Sequence, residues 1–177
     1  MKKTMLTVAL FAASVFSAEA TMPAASIDVG FSPEGSAQQL VLRTLDEARE
    51  NIRLMGYSFT SPEVVRSLIT AKRRGVDVRV VVDNKGNRSK ASQAAMNLLV
   101  NAGIPLRTND QYKIMHDKVI ITDGQNVETG SFNYSSSAAK YNSENALVVH
   151  GVPQLAQTYL AHWQSRWDSG TDWHSAY

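Results

Sequence analysis

Apolar and polar positions along this chain switch repeatedly between two spacings. Ile27 to Phe31, Ile52 to Tyr57 and Val76 to Val82 are short apolar runs, which predicts strands. Between the first two, Gly35 to Glu50 carries Leu40, Leu45 and Ala48 at loosely helical spacing. Ser61-Pro62-Glu63 marks a helix start, a hydroxyl N-cap followed by proline at the first helical position. That helix closes at Gly75, after Lys72-Arg73-Arg74, whose charges suit the negative end of a helix dipole. Ser89 to Ala102 predicts another helix, with Gly103 just past its end. Ile104 to Leu106 reads as a short strand or extended link. Lys118 to Thr122 is a strand, Asp123-Gly124 a turn, and Asn126 to Phe132 a returning strand, together a hairpin. Ala146 to Val149 is the last predicted strand. From Pro153 to Trp167 a final helix shows Leu155, Tyr159, Trp163 and Trp167 every four residues. The two tryptophans are expected in the core or at a subunit interface rather than stacked on bases. Strands alternating with helices predict an α/β sandwich.

The ends and the composition narrow this. Lys2-Lys3, the apolar run Met5 to Phe16 and the small-residue site Ala18-Glu19-Ala20 have the layout of a secretory signal peptide. Residues 1–20 are therefore expected to be removed, leaving 21–177 as a single domain in the periplasm or secreted. The run is too short to span a bilayer comfortably, and no other segment competes with it, so no stable membrane association is expected. The chain has no cysteine, which suits an oxidising compartment without proving one. Losing Lys2, Lys3 and Glu19 takes the formal charge from +2 to +1. Affinity for nucleic acid must then come from local basic patches, not from the whole molecule.

One stretch carries a concentration of chemistry. His116 and Lys118 lie two apart on a predicted strand, so they point the same way. The hairpin brings Ser131 and Asn133, also two apart, toward them. Glu144 follows downstream. Each residue type suits one task in breaking a phosphodiester. Neutral imidazole is a nucleophile that adds no negative charge to an anionic substrate. The Lys118 ammonium suits a non-bridging phosphate oxygen, and the Ser131 hydroxyl and Asn133 amide add neutral donors. Glu144 is expected to accept a hydrogen bond from the far ring nitrogen of His116 and so set its tautomer. Each residue alone has an ordinary reading, Asp123 before Gly124 as turn chemistry above all. The ordered set is what points to a site. Asp117 and Asp123 find no partners at metal-ligand spacing, so neither metal nor cofactor is expected.

His116-x-Lys118-x4-Asp123 followed by Gly130-Ser131-x-Asn133 resembles the signature of the phospholipase D superfamily, and the likeness extends over most of the chain. The short exported chain with one motif looks most like the bacterial periplasmic endonuclease of that family. The resemblance implies a mixed β-sheet flanked by helices. It also implies a two-step reaction in which one histidine attacks phosphorus and a second protonates the leaving oxygen, with Asp123 in a supporting role. Most members carry two motif copies. Here His150, His162 and His174 lack the following lysine, so a homodimer with one composite site, His116 from each chain, is expected.

The substrate is left open between two classes. Asn84 to Lys90 follows a strand, opens a helix and carries Lys85, Arg88 and Lys90. It is either a grip on flanking nucleic-acid phosphates or an ordinary solvated loop. A non-specific endonuclease cutting DNA, and RNA as a further substrate, is the first reading. A phospholipase D or cardiolipin-type lipid phosphodiesterase is the alternative, with identical chemistry. An inactive binding module is the third, and the complete residue set argues against it.

Overall fold

The computed structural model describes residues 24–175, so the expected signal peptide lies outside the described residues. Eight strands form one sheet in the order β1-β7-β6-β5-β2-β3-β4-β8. In chain order these are β1 (Ser26–Ser32), α1 (Ser36–Glu47), β2 (Asn51–Gly56), α2 (Pro62–Arg73), β3 (Asp77–Asp83), α3 (Lys90–Asn101) and β4 (Leu106–Asn109). Then come β5 (Lys118–Thr122), β6 (Asn126–Gly130), the short α4 (Ser136–Lys140), β7 (Glu144–His150), α5 (Pro153–Asp168) and β8 (Thr171–Asp172). β2, β3 and β4 run parallel, joined by the α2 and α3 crossovers, and the other neighbours pair antiparallel. The mixed, helix-flanked sheet is therefore as expected.

Side-chain alternation divides the interior in two. Ile52, Leu54, Val78, Val80, Val82 and Ile120 face α1, α2 and α3. Met55, Val81, Val119, Ile121 and Val127 face α5. Trp163 and Trp167 belong to the second layer, 1% and 8% exposed, with rings stacked at 5.1 Å. Trp163 Nε1 donates to the Leu54 carbonyl, and Arg53 and Arg107 cap the outer ring faces. They are core residues, not a base-stacking surface.

Local signals set most boundaries. Ser61 accepts from the Val64 amide at 3.3 Å and Ser89 from Ser92 at 3.1 Å, both as N-caps. Arg74 does more than complement a dipole, since its guanidinium donates to the Leu45 and Ala48 carbonyls and ties down the end of α1. The predicted strand at Ile104 to Leu106 begins instead at Leu106 and continues to Asn109, because pairing with β3 and β8 decides its register. The returning hairpin strand stops at Gly130, two residues short of its expected end. There the Ser131 and Phe132 amides both turn to the Asn145 carbonyl. A Cβ at Gly130 would overlap that carbonyl, so the glycine is required by close approach.

Candidate active site

Strand direction gathers His116, Lys118, Ser131, Asn133 and Glu144 at one end of the sheet. Parallel β2 and β3 finish there, antiparallel β5 and β7 start there, and β6 ends there. Lys118 opens β5 opposite Gly56, and Glu144 opens β7 opposite Ser32.

His116 is exposed and Lys118 lies beneath it, 6% exposed. Lys118 Nζ sits 2.9 Å from His116 Nδ1 and 3.2 Å from Nε2, and donates to the His116 carbonyl at 2.8 Å. Burial pushes the Lys118 ammonium below its ordinary pKa, while the nearby Glu144 and Asp117 carboxylates push it back up. The lysine is thus a desolvated cation directly beneath the imidazole.

Ser131 Oγ accepts from the Asn145 amide at 3.0 Å. That contact uses a lone pair and leaves the hydroxyl proton to donate elsewhere. Asn133 has a buried amide oxygen without a partner. Phe132 between them is fully packed in the core, which anchors the segment. One expectation needs correction within a single chain. Glu144 does not bond to His116; its Oε1 accepts from Asn142 at 2.9 Å, and its field acts on Lys118.

Asp123 lies at the far end of β5. The strand is five residues long, so at about 3.3 Å each Asp123 stands on the order of 15 Å from Lys118. Its carboxylate accepts from the backbone amides of Arg49, Glu50 and Asn51 at 3.0, 2.8 and 3.0 Å. It fastens the α1–β2 connection to the hairpin and cannot touch a phosphate held by His116. Asp123→Ala is expected to cost roughly 2–3 kcal/mol, from three orphaned amides and a backbone at φ 54°. Turnover per folded molecule should stay unchanged. A thermal melt beside a specific-activity measurement checks this.

Two residues went unread in the sequence. Tyr57, just past β2, holds its ring 4.6 Å from the His116 ring and 5.6 Å from Lys118 Nζ. Asp83, 1% exposed at the end of β3, accepts from Gly86 N at 2.6 Å and from Met115 N at 2.7 Å. It thereby fixes the residue preceding His116. Gly86 has no room for a side chain, since a Cβ would lie 2.9 Å from the Tyr57 carbonyl oxygen. The loop carrying exposed Lys85, Arg88 and Lys90 is thus seated against Tyr57, with Lys85 Nζ donating to the Lys113 carbonyl at 3.3 Å. Only the position of Tyr57 at the end of an apolar run, and of Asp83 at the end of a strand, hinted at either role.

This geometry matches known proteins. A family model described as "Cardiolipin synthase, PLD-like domain" fits residues 41–167. A phospholipase D of Rickettsia conorii is 33% identical over 136 residues, 77% of this chain and 66% of its own. The human mitochondrial cardiolipin hydrolase is 31% identical over 167 residues, 89% of this chain and 65% of its own. The chain spans about two thirds of the length of these relatives. The crystal structure of Nuc, a phospholipase D family member from Salmonella typhimurium, superposes with a TM-score of 0.85 at 53% identity. It covers 86% of this chain and 100% of its own. NucT from Helicobacter pylori shares the fold at 22% identity and a TM-score of 0.72, over 85% and 100% of the two chains. With its lysine-backed histidine, its Gly-Ser-x-Asn turn and these matches, the chain belongs to the phospholipase D superfamily of phosphodiesterases.

Proposed function

We propose that the protein is a metal-independent endonuclease, hydrolysing DNA, with RNA as a further candidate substrate, through a phosphohistidine in a site built by two copies of the chain. The observation that carries this is the exposed His116 ring over the buried Lys118 ammonium. His116 of one copy attacks phosphorus, forming a P–N bond as the P–O bond to the leaving group breaks. The histidine of the second copy gives its proton to that oxygen, then takes a proton from the water that attacks phosphorus and releases His116. Lys118, the Ser131 hydroxyl and the Asn133 amide hold the non-bridging oxygens as charge develops. Glu144 orients the imidazole once the two copies close over the site. The cationic loop supports a nucleic-acid substrate. Lys85, Arg88 and Lys90 are exposed on the segment that touches Tyr57, one ring away from His116. In this reading they grip phosphates flanking the scissile one. Residues 1–20 are read as an export signal for the periplasm or beyond.

The names of the curated relatives favour a second reading, a lipid phosphodiesterase of phospholipase D or cardiolipin type. Among the described residues no helix is long and apolar enough to cross a membrane. Supercoiled plasmid and vesicles of phosphatidylcholine with cardiolipin, each incubated with the protein in EDTA, separate the two. Nicking and linearisation of plasmid with intact lipid is expected. Lipid cleavage with intact plasmid moves the assignment to the lipid enzyme. Activity that EDTA stops and a divalent ion restores overturns the metal-free mechanism.

A further inference from the structure

The segment from Asp110 to Met115, between β4 and β5, leads directly into His116. Its Tyr112 and Ile114 are 39% and 47% exposed, with exposed Lys113 between them. One exposed apolar side chain on a surface is ordinary. Here two stand together on a segment that is tied down at its start, middle and end. At the start, Gln111 N donates to Asn109 Oδ1 at 3.0 Å. Asn109 is buried and donates through Nδ2 to the Arg166 carbonyl at 2.8 Å and to Ser169 Oγ at 2.9 Å. In the middle, the Lys113 carbonyl accepts from Lys85 Nζ. At the end, Met115 N donates to Asp83. The backbone is held while the side chains of Tyr112 and Ile114 stay in solvent.

Tyr112 is also fixed in orientation. The Arg166 guanidinium lies over its ring, 4.9 Å from the centroid. Arg166 is itself held, since its Nη1 donates to Ser165 Oγ at 2.8 Å. One ring face is thus backed by a cation, and the remaining exposure belongs to the other face and the edge. A side chain that inserts into a lipid surface projects freely. A ring backed on one side is a platform for another flat group. The charges around it are mainly positive, from Lys113 in the segment and from Lys85 and Arg88 in the adjoining loop. Asp110, the only carboxylate of the segment, is engaged by Gln111 Nε2 at 3.0 Å.

We infer that Tyr112, with Ile114 at its side, stacks on the base of a nucleotide neighbouring the scissile phosphate, an inference that rests on the nuclease reading above. A flat apolar face set among cations mirrors what a nucleic-acid strand presents, flat bases spaced by anionic phosphates. A lipid headgroup offers the charge without the flat partner. The distance is suitable. Tyr112 lies four residues before His116, so at most about 14 Å separates their Cα atoms. Every base has a π-face, so this contact adds affinity without selecting sequence. Trp163 and Trp167 cannot serve in this way, because their rings are packed under Arg53 and Arg107 in the α5 layer.

The test is binding of a short fluorescent single-stranded DNA oligonucleotide, followed by anisotropy in the His116→Asn background so that no strand is cut. A single strand is used because its unstacked bases are free to meet a side chain. Adding Tyr112→Ala is expected to raise Kd about tenfold, within the range for losing one stacked base. Tyr112→Phe keeps the ring and should stay within about twofold of the parent. A second oligonucleotide of equal length, with every base removed, presents the sugar–phosphate chain alone. The parent should bind it at least about tenfold more weakly, and Tyr112→Ala should then bind it as the parent does. The parent's own loss needs no variant to fold. Equal affinity of Tyr112→Ala and the parent for the base-bearing strand overturns the subsite. So does an equal loss on both strands, which makes the ring a support for the cationic loop. A parent indifferent to removal of the bases overturns it as well. In all three cases the nuclease reading stands if wild type cleaves plasmid in EDTA. A wild type that cleaves no nucleic acid, and whose Tyr112→Ala and Ile114→Ala variants lose binding to cardiolipin vesicles, assigns this rim to a lipid surface and overturns both readings.

Discussion

Replacing His116 with Asn is expected to lower phosphodiester cleavage by at least about ten-thousand-fold, the scale seen when a nucleophile is removed from an assembled site. The amide is comparable in size and polarity but forms no bond to phosphorus, and it cannot carry a proton to the leaving oxygen. In a paired site one substitution removes both functions, since each copy supplies the same residue. The fold should not suffer. His116 is exposed, and the strand below it is held by Lys118, Val119 and Ile120. Circular dichroism and sedimentation should therefore match wild type while single-turnover cleavage disappears. Residual activity above about a thousandth of wild type, with the fold intact, would remove His116 from the nucleophile's role.

The largest stability effect is expected far from the chemistry, at Glu128. This side chain on β6 is 0% exposed, between Ile120 and Val148 on neighbouring strands. Its Oε2 accepts from the Tyr134 hydroxyl at 2.9 Å, and its Oε1 is buried without a partner. Burial pushes the carboxyl up to about 8, against a modest opposing pull from the Tyr134 hydrogen bond. The folded state therefore holds this proton more tightly than the unfolded chain, whose glutamates ionise near 4.5. Between those two values the unfolded state binds fewer protons, so stability falls as pH rises, and the loss is complete above about 8. The displacement corresponds to a penalty on the order of 5 kcal/mol. Glu128→Gln keeps an acceptor for Tyr134 and cannot ionise. Its melting temperature should nearly equal wild type at pH 4 and exceed it increasingly up to pH 8. Parallel melting curves at both pH values would refute the buried neutral acid.

The parts of the site within one hairpin were legible from the sequence. The neighbourhood of His116 and Lys118 was legible from their spacing, although His116 lies two residues before β5, in a segment held by Asp83 through the Met115 amide rather than by strand alternation. Asp123-Gly124 was legible as a turn, and both residues take the left-handed backbone it requires. Contacts made across the sheet were not legible. Tyr57 and Asp83 reach the site because β2 and β3 finish where β5 begins, and no local spacing encodes that neighbourhood. Glu128 was hidden for a related reason. In an alternating strand a glutamate is read as solvent-facing, yet both faces of this sheet are roofed at that strand. The expected bond from Glu144 to His116 is absent within one chain, where the carboxylate accepts from Asn142 instead. The short α4 and two-residue β8 carry too little periodicity to announce themselves.

Asp83 also couples the cationic loop to the segment before His116. Its two carboxylate oxygens hold different segments, Gly86 in the cationic loop and Met115 in front of His116. Asn87 adds stitches from the same loop to the Tyr57 carbonyl and the Phe59 amide. The cationic loop, the tyrosine and the segment before the histidine are therefore tied to one another through Asp83 and Asn87. In the proposed nuclease, a phosphate gripped by Lys85 or Arg88 is held in the same frame as His116. In such an enzyme the protein itself then fixes the spacing between a gripped phosphate and the one that is cut.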